Sequence, residues 1–135
     1  MSGVTRAVSG GSERGPVRPP GWPAPVPPPG ADGWRDRAVA FLLDVAPPEF
    51  RTEPLYRRQP LVLAWRVRSI IEAQLDAART SYSQARAELA DDVTPEVVAD
   101  TLQALEREGA ALLARRREVD LVLRALRGEA FVPRL

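Results

Sequence analysis

The stretch that decides the fold is DDVTPE at positions 91–96, because it separates two long segments that both have helical periodicity. Within it, Thr94 is a favoured N-cap residue, and Pro95 suits the first helical position, where a missing N–H loses no hydrogen bond. Glu96 adds negative charge at the positive end of the helix dipole. We therefore expect one helix to end just before this stretch and another to run from Pro95 to about Arg127. A break this short makes the two helices antiparallel.

On both sides of the break, seam positions recur at alternating steps of three and four residues, which is the heptad pattern of paired helices. The earlier helix is expected to begin at Pro60, so each of the two is about 30 residues long. Antiparallel pairing then puts Tyr82 beside Leu105 and Ala78 opposite Gly109, where the two backbones are expected to approach closely. The predicted seam positions are 61, 64, 68, 71, 75, 78, 82, 85 and 89 in one helix and 98, 102, 105, 109, 112, 116, 119, 123 and 126 in the other.

Charged residues interrupt or border this seam. Arg68 and Arg116 occupy seam positions, where we expect their aliphatic stems to pack while their guanidinium groups reach water. The alternative is that they form a polar device that sets helix register or partner choice. Arg79 and Glu106 fall on facing flanks and are expected to pair across the seam, which is worth less than about 1 kcal/mol for an exposed pair.

A shorter helix is predicted over residues 34–45, where the apolar residues follow one helical face and two prolines end the pattern. At the open end of the hairpin, a flank of further apolar residues lies beside the seam. We expect the short helix to cover this flank, so that Phe41→Ala costs about 3–5 kcal/mol of stability. The covering residues are Phe41, Leu42 and Val45, and the covered ones are Leu63, Val67, Ile70 and Val122.

Two more apolar residues at the open end, Val62 and Trp65, point toward the opposite flank. The connector over residues 49–59, or the tail that begins at Glu129, is expected to reach them there.

Residues 1–33 have a different composition, since they hold eight of the 14 prolines and seven of the nine glycines of the chain. Their few apolar residues show no periodicity, so they bury too little surface to offset the entropy of ordering them. We expect residues 1–33 to be a disordered arm, with residues 19–29 in polyproline II conformation, and residues 34–135 to form the helical domain. Removing the arm should then leave stability unchanged.

Residue counts exclude several classes of chemistry. The chain of 135 residues has no Cys and no His, and all 19 of its basic residues are Arg. Thiolate nucleophiles, disulfides, His general bases, Cys or His zinc sites and Lys Schiff bases are therefore excluded. We expect no enzymatic activity, no cofactor, no metal site and no small-molecule substrate. No apolar run is long enough to span a membrane, and the absence of Cys fits a cytoplasmic protein.

Charge is distributed unevenly along the predicted hairpin. The turn region is acidic, with carboxylates at 88, 91, 92, 96, 100, 106 and 108, whereas the open end is rich in arginine. An exposed tip lacks the shielded cavity in which a catalytic metal would be held. The arginines offer a possible interaction surface, for which the candidate residues are Arg57, Arg58, Arg66, Arg115, Arg117 and Arg124.

Three segments of the helical domain resemble a type of small actinobacterial helical-hairpin protein that has no assigned activity. The segments are APPEFR at 46–51, YRRQPL at 56–61 and RGEAFVPRL at 127–135. Because that type has no assigned activity, the resemblance implies no functional residue.

Together these observations predict an all-α fold. It is a long antiparallel, coiled-coil-like helical hairpin with a short N-terminal helix packed at its open end, preceded by a disordered Pro/Gly-rich arm. The expected function is a non-enzymatic helical protein-interaction module that binds an unknown protein partner or self-associates. One alternative is a nucleic-acid-associated accessory protein that uses the Arg-rich open end. A third, weaker hypothesis is a metal-dependent phosphohydrolase that uses the acidic tip.

Overall fold

Two long helices form most of the protein in the computed structural model, which describes residues 15–131. The described chain is all-α, without a strand between residues 15 and 131. Helix α1 is short and is followed by a 3-10 helix and the five-residue helix α2, before the long helices α3 and α4. The bounds are Trp34–Val45 for α1, Pro48–Thr52 for the 3-10 helix, Pro54–Arg58 for α2, Pro60–Leu89 for α3 and Pro95–Leu126 for α4.

Local residues set the helix boundaries, and the predicted boundaries of the three main helices are confirmed. Proline opens α3 and α4, and the side chain of Thr94 accepts a hydrogen bond from the backbone N–H of Val97 at 3.3 Å. At the other end of α4, Gly128 has a φ of 88°, in the left-handed region that favours glycine. Its N–H donates to the carbonyl of Ala125 at 2.9 Å, which satisfies one of the last free carbonyls of α4.

Helices α3 and α4 pack against each other as the predicted antiparallel hairpin. Most predicted seam positions are buried or half-buried, but Tyr82 is 39% exposed and Leu61 is also exposed. The prediction of a core position is therefore wrong for these two residues. Both lie at the edge of the seam, on a side that no third element between residues 15 and 131 covers. The buried seam residues are Ala64, Ile71, Leu75, Ala78, Ala85, Leu102, Val119, Leu123 and Leu126.

At the open end, α1 covers one side of the α3–α4 pair, as the sequence predicts. Leu63, Val67 and Val122 are almost inaccessible there, and Phe41 and Leu42 of α1 belong to the same buried cluster. The open end is thus a three-helix core, whereas the rest of the hairpin is a two-helix arm.

Residues 15–33 correct the prediction of a disordered arm over that part of the chain. Trp22 is only 6% exposed and Val26 is inaccessible, and both belong to the buried cluster. The ring of Trp22 lies 6.2 Å from that of Trp34 and 6.4 Å from that of Phe131, measured between centroids. Residues 1–14 of the predicted arm lie outside the described residues.

The proline-rich stretch is ordered by turns, where the sequence predicts polyproline II. Successive turns close with backbone hydrogen bonds from Trp22 to Pro19, from Val26 to Pro23 and from Ala31 to Pro28, each 3.0–3.1 Å long. Polyproline II has no such internal bonds. The indole N–H of Trp22 also donates to the carbonyl of Val26 at 2.9 Å, so the buried indole keeps a polar partner. Prolines lose little entropy when they are ordered, so the burial of Trp22, Pro23 and Val26 can hold the segment.

Candidate functional site

The six arginines predicted as an interaction surface do not form a single patch. Arg57 and Arg58 lie exposed in the last turn of the short helix α2, and Arg117 lies exposed on α4. The other three, Arg66, Arg115 and Arg124, are each engaged by neighbouring side chains. Within residues 15–131, the predicted surface is therefore divided between three arginines that have no such contact and three whose guanidinium groups are occupied by structural contacts.

Arg66 and Arg115 lie at the edges of the side of the hairpin that α1 covers. The guanidinium carbon of Arg66 lies 5.4 Å from the centre of the Phe50 ring, and that of Arg115 lies 5.7 Å from the centre of the Phe41 ring. Both distances suit cation–π attraction. Arg115 also pairs with Glu118 at 3.1 Å. These two arginines shield aromatic residues from water. Their guanidinium groups are therefore already in contact with the protein itself and are less available to a ligand.

Arg124 is held by the tail of the domain. Its guanidinium donates two hydrogen bonds to the carboxylate of Glu129, at 2.8 and 2.5 Å, and lies 5.2 Å from the centre of the Phe131 ring. The hydrogen bonds from Arg124 lower the pKa of Glu129, and the same bonds raise the pKa of Arg124. This pair fixes the tail against the end of α4, so it is a structural contact.

Among residues 15–131, the most exposed large hydrophobic side chain lies on the face of the hairpin that α1 leaves uncovered. Trp65 is 49% exposed, although Leu63 and Val67 on either side of it are buried. Two residues correspond to about 200° around a helix of 3.6 residues per turn, so Trp65 points away from α1. Neither the connector nor the described start of the tail buries Trp65, since about half of this side chain remains in contact with solvent, whereas Val62 is half-buried. Residues 132–135 of the tail lie outside the described residues.

We call this uncovered side of the α3–α4 hairpin the bare face. Next to Trp65, its neighbour Leu61 is exposed one turn earlier on α3. Arg68 follows almost one turn later and lies 3.6 Å from the carboxylate of Asp120 on α4. This ion pair bridges the seam between the two helices. That carboxylate oxygen is inaccessible to solvent and has no hydrogen-bond partner. Arg116 lies one turn before Asp120 on the same side of α4 and, within residues 15–131, has no ion pair.

Arg68 and Arg116 therefore differ in their surroundings, although both are half-buried seam residues. The predicted pair between Arg79 and Glu106 is not formed. Instead, Arg79 lies 3.7 Å from Asp76, one turn earlier on its own helix. Glu106 thus keeps its carboxylate available on the bare face.

Two depressions continue the bare face along the arm. The tip groove, about 500 Å³ in volume, lies next to the turn between the long helices. The arm groove, about 400 Å³, lies midway along the hairpin. Tyr82 and Glu106 line both grooves, so the two grooves are neighbours along the hairpin. The tip groove is also lined by Arg86, Ala90, Val93, Pro95, Val98, Ala99, Leu102 and Gln103, and the arm groove by Leu75, Ala78, Arg79, Leu105, Gly109, Ala110 and Leu113.

Gly109 lies in the wall of the arm groove. A Cβ atom at this position would meet no atom within 4 Å. The predicted close approach of the two backbones at Ala78 and Gly109 is therefore wrong, although both residues do line the same groove. The space that glycine leaves open is part of the groove.

The acidic tip carries no arrangement that resembles a metal site. Within residues 15–131, no three acidic side chains come together as metal ligands would. The carboxylates at positions 88, 91, 92, 96, 100, 106 and 108 are exposed to solvent. They give the tip negative charge without a shielded cavity.

None of the helices described between residues 15 and 131 is both long and apolar enough to cross a membrane. Comparisons of the chain with protein-family models, curated proteins and solved structures give no match. The resemblance found in the sequence therefore gains no support from them, and a function has to be inferred from the geometry of the bare face.

Sequence reasoning placed Trp65 correctly outside the seam but did not identify it as a functional candidate. The available signal was the spacing of Leu61 and Trp65, which are four residues apart and fall on one helical flank. The spacing does not reveal which flank of the hairpin is covered by α1 and residues 15–33. Because α1 and residues 15–33 cover other parts of the hairpin, Trp65 remains exposed.

Proposed function

We propose that this protein is a non-enzymatic helical protein-interaction module that binds its partner through the bare face. The observation that carries the proposal is the half-exposed Trp65, with the exposed Leu61 one turn before it and Arg68 almost one turn after it on the same helix. Tryptophan and arginine are the residues most enriched at the energetic centres of protein interfaces. A large aromatic side chain left in water on a two-helix surface is stabilised when a partner covers it.

The form of the bare face supports a protein partner. Its two neighbouring grooves are shallow and lined mainly by apolar side chains, with charged groups at their edges. An apolar groove between two helices accepts a further helix, whose side chains enter it at helical spacing. The heptad spacing of the seam also supports treating the hairpin as an antiparallel coiled coil to which further helices add. We place this interaction in the cytoplasm, which the absence of Cys supports.

Nucleic-acid binding by the arginines has weaker support. Three of the six candidate arginines are engaged by aromatic rings or carboxylates, so fewer cations remain for phosphate groups. Phosphate contacts would give an affinity that falls steeply with salt concentration. We expect no such steep dependence in a DNA- or RNA-binding titration of the full chain. A steep negative slope that disappears in an Arg57→Gln, Arg58→Gln, Arg117→Gln variant would favour the nucleic-acid alternative.

A capture experiment tests the protein-interaction proposal. The full chain would be immobilised as wild type, as Trp65→Ala and as Leu55→Ala, and exposed to the proteins of its native lysate. Leu55 is a suitable control, because it is an exposed large hydrophobic residue in α2 and does not line either groove. We expect bound proteins, including further copies of this chain, to be lost from Trp65→Ala and retained by Leu55→Ala. Equal binding by all three would contradict the proposal.

A further inference from the structure

We infer that the partner of the bare face is a second copy of this chain, packed antiparallel so that Trp65 of each copy enters the tip groove of the other. This inference rests on the proposed function, because it uses the same face. It names the partner and the register, which the proposed function leaves open.

The spacing of features along the bare face fits a twofold axis. Trp65 and Arg86, which lines the tip groove, are 21 residues apart on α3, or about 32 Å at 1.5 Å per residue. A twofold axis halfway between them passes near residue 76 of α3 and residue 111 of α4. The operation that places one Trp65 over the opposite tip groove then places the second Trp65 over the first groove. Such a reciprocal contact is what a closed twofold dimer requires.

The chemistry of the tip groove suits an indole. Its walls combine apolar side chains, among them Val98 and Leu102, with the ring of Tyr82 and the guanidinium of Arg86. Apolar walls remove the indole from water, and an arginine over its ring adds cation–π attraction. With a volume of about 500 Å³, the groove has room for a tryptophan side chain.

The same axis brings opposite charges together. Arg116 and Glu106 lie on α4, five residues on either side of residue 111. In the antiparallel dimer α4 packs on α4, so Arg116 of each copy meets Glu106 of the other. Within residues 15–131 neither residue has an ion pair of its own.

The centre of the arm groove has space for the second copy. The axis lies between Gly109 and Leu113, which are four residues apart and line this groove. Leu113 of one copy then faces Gly109 of the other, where no atom lies within 4 Å of the Cβ position. The open space over Gly109 is therefore filled by a side chain of the dimer. Glycine at this position is otherwise unfavourable, because it weakens a helix interior without improving the packing within one copy.

The available area is sufficient for a stable dimer. The bare face is roughly 45 Å long and two helices, or about 20 Å, wide. That gives about 900 Å² on each copy, close to the roughly 800 Å² per partner of a standard specific interface.

Sedimentation equilibrium of the full chain tests the inference. We expect wild type to be a dimer, and Trp65→Ala to raise the dimer dissociation constant about 30-fold or more, as for other aromatic side chains that fill a pocket of the partner. Val98→Asp should have a similar effect, because Val98 lines the tip groove. Val97→Asp is the matched control, since its neighbour Val97 is 43% exposed and does not line either groove on the bare face. Circular dichroism melting shows whether each variant is folded.

A charge exchange tests the register. Arg116→Glu should weaken the dimer about tenfold by placing two carboxylates together. The double variant Arg116→Glu, Glu106→Arg restores opposite charges in the antiparallel register alone, so its dissociation constant should return toward that of wild type. Equal effects of Val97→Asp and Val98→Asp, or a double variant weaker than the single one, would overturn the proposed arrangement.

The second-copy inference and the proposed function fail in different ways. A wild-type chain that stays monomeric up to about 1 mM overturns the inference, because no useful self-affinity then exists. The proposed function would still stand in that case if Trp65→Ala abolished capture of a different protein. It would fail if Trp65→Ala changed neither self-association nor the capture of any partner.

Discussion

The open end and the arm are built from the same two helices, yet they differ in the number of layers that bury them. At the open end, α1 and residues 15–33 complete the core, and Leu63, Val122 and Leu123 are inaccessible to solvent. Along the arm, α3 and α4 have only each other, so seam residues such as Tyr82 remain partly exposed. The difference shows that a two-helix seam buries one stripe on each helix and leaves the remaining apolar surface to another partner.

The largest expected effect comes from replacing a tryptophan in each region, one that is buried and one that is exposed. Trp22→Ala should lower the free energy of unfolding by about 3–5 kcal/mol, because a buried indole and its packing are lost. Trp65→Ala, the matched change on the bare face, should cost the monomer less than about 1 kcal/mol. Urea unfolding monitored by circular dichroism, at concentrations well below the dimer dissociation constant, measures both. A cost of less than about 1 kcal/mol for Trp22→Ala would mean that residues 15–33 contribute little to the core.

Leucine truncations compare the two regions along one helix. Leu123→Ala at the open end should cost about 4 kcal/mol, because the cavity is closed on every side. Leu102→Ala in the arm should cost about 2 kcal/mol, since the space it leaves opens into the tip groove and water can enter. Both values come from chemical denaturation of the two variants. If Leu102→Ala cost as much as Leu123→Ala, the arm would be buried as completely as the open end.

Gly109→Ala should stabilise the monomer by about 1 kcal/mol, because alanine favours a helix interior and the new methyl group meets no atom. The substitution is best made in a Trp65→Ala chain, so that self-association does not contribute. Thermal melting compares it with the parent variant. A lower melting temperature would show that the two backbones approach at this position more closely than the open groove implies.

The smallest expected effect concerns the tail at the open end. Hydrogen bonds from Arg124 lower the pKa of Glu129 in the folded chain. The stability that this pair contributes is therefore present above the pKa of the unfolded carboxyl and is lost as the pH falls through the lowered value. An NMR titration should show Glu129 with a pKa below its ordinary value, returning toward it in Arg124→Gln. No change between the two chains would mean that the pair does not form in solution.

Much of the fold could be predicted from the sequence because its determinants are local. Pro60, Thr94, Pro95 and Gly128 define helix ends through bonds that involve only neighbouring residues, and all of them act as predicted. The apolar flank around Leu63 likewise predicts that a third helix is needed. The candidate site was harder, because the predicted arginine surface is partly used by aromatic rings that are distant in sequence, such as Phe41 beside Arg115.

The sequence by itself determined that the chain is a helical hairpin with a third helix at its open end, since heptad spacing and helix caps act within a few residues. Only the tertiary structure decided that Trp22 is buried and Trp65 is exposed. Neither residue has a local pattern that distinguishes the two outcomes. Trp22 is buried because Trp34 and Phe131 meet it from remote parts of the chain. Trp65 is exposed because α1 covers the opposite side of the hairpin, and burial depends on where every other element packs.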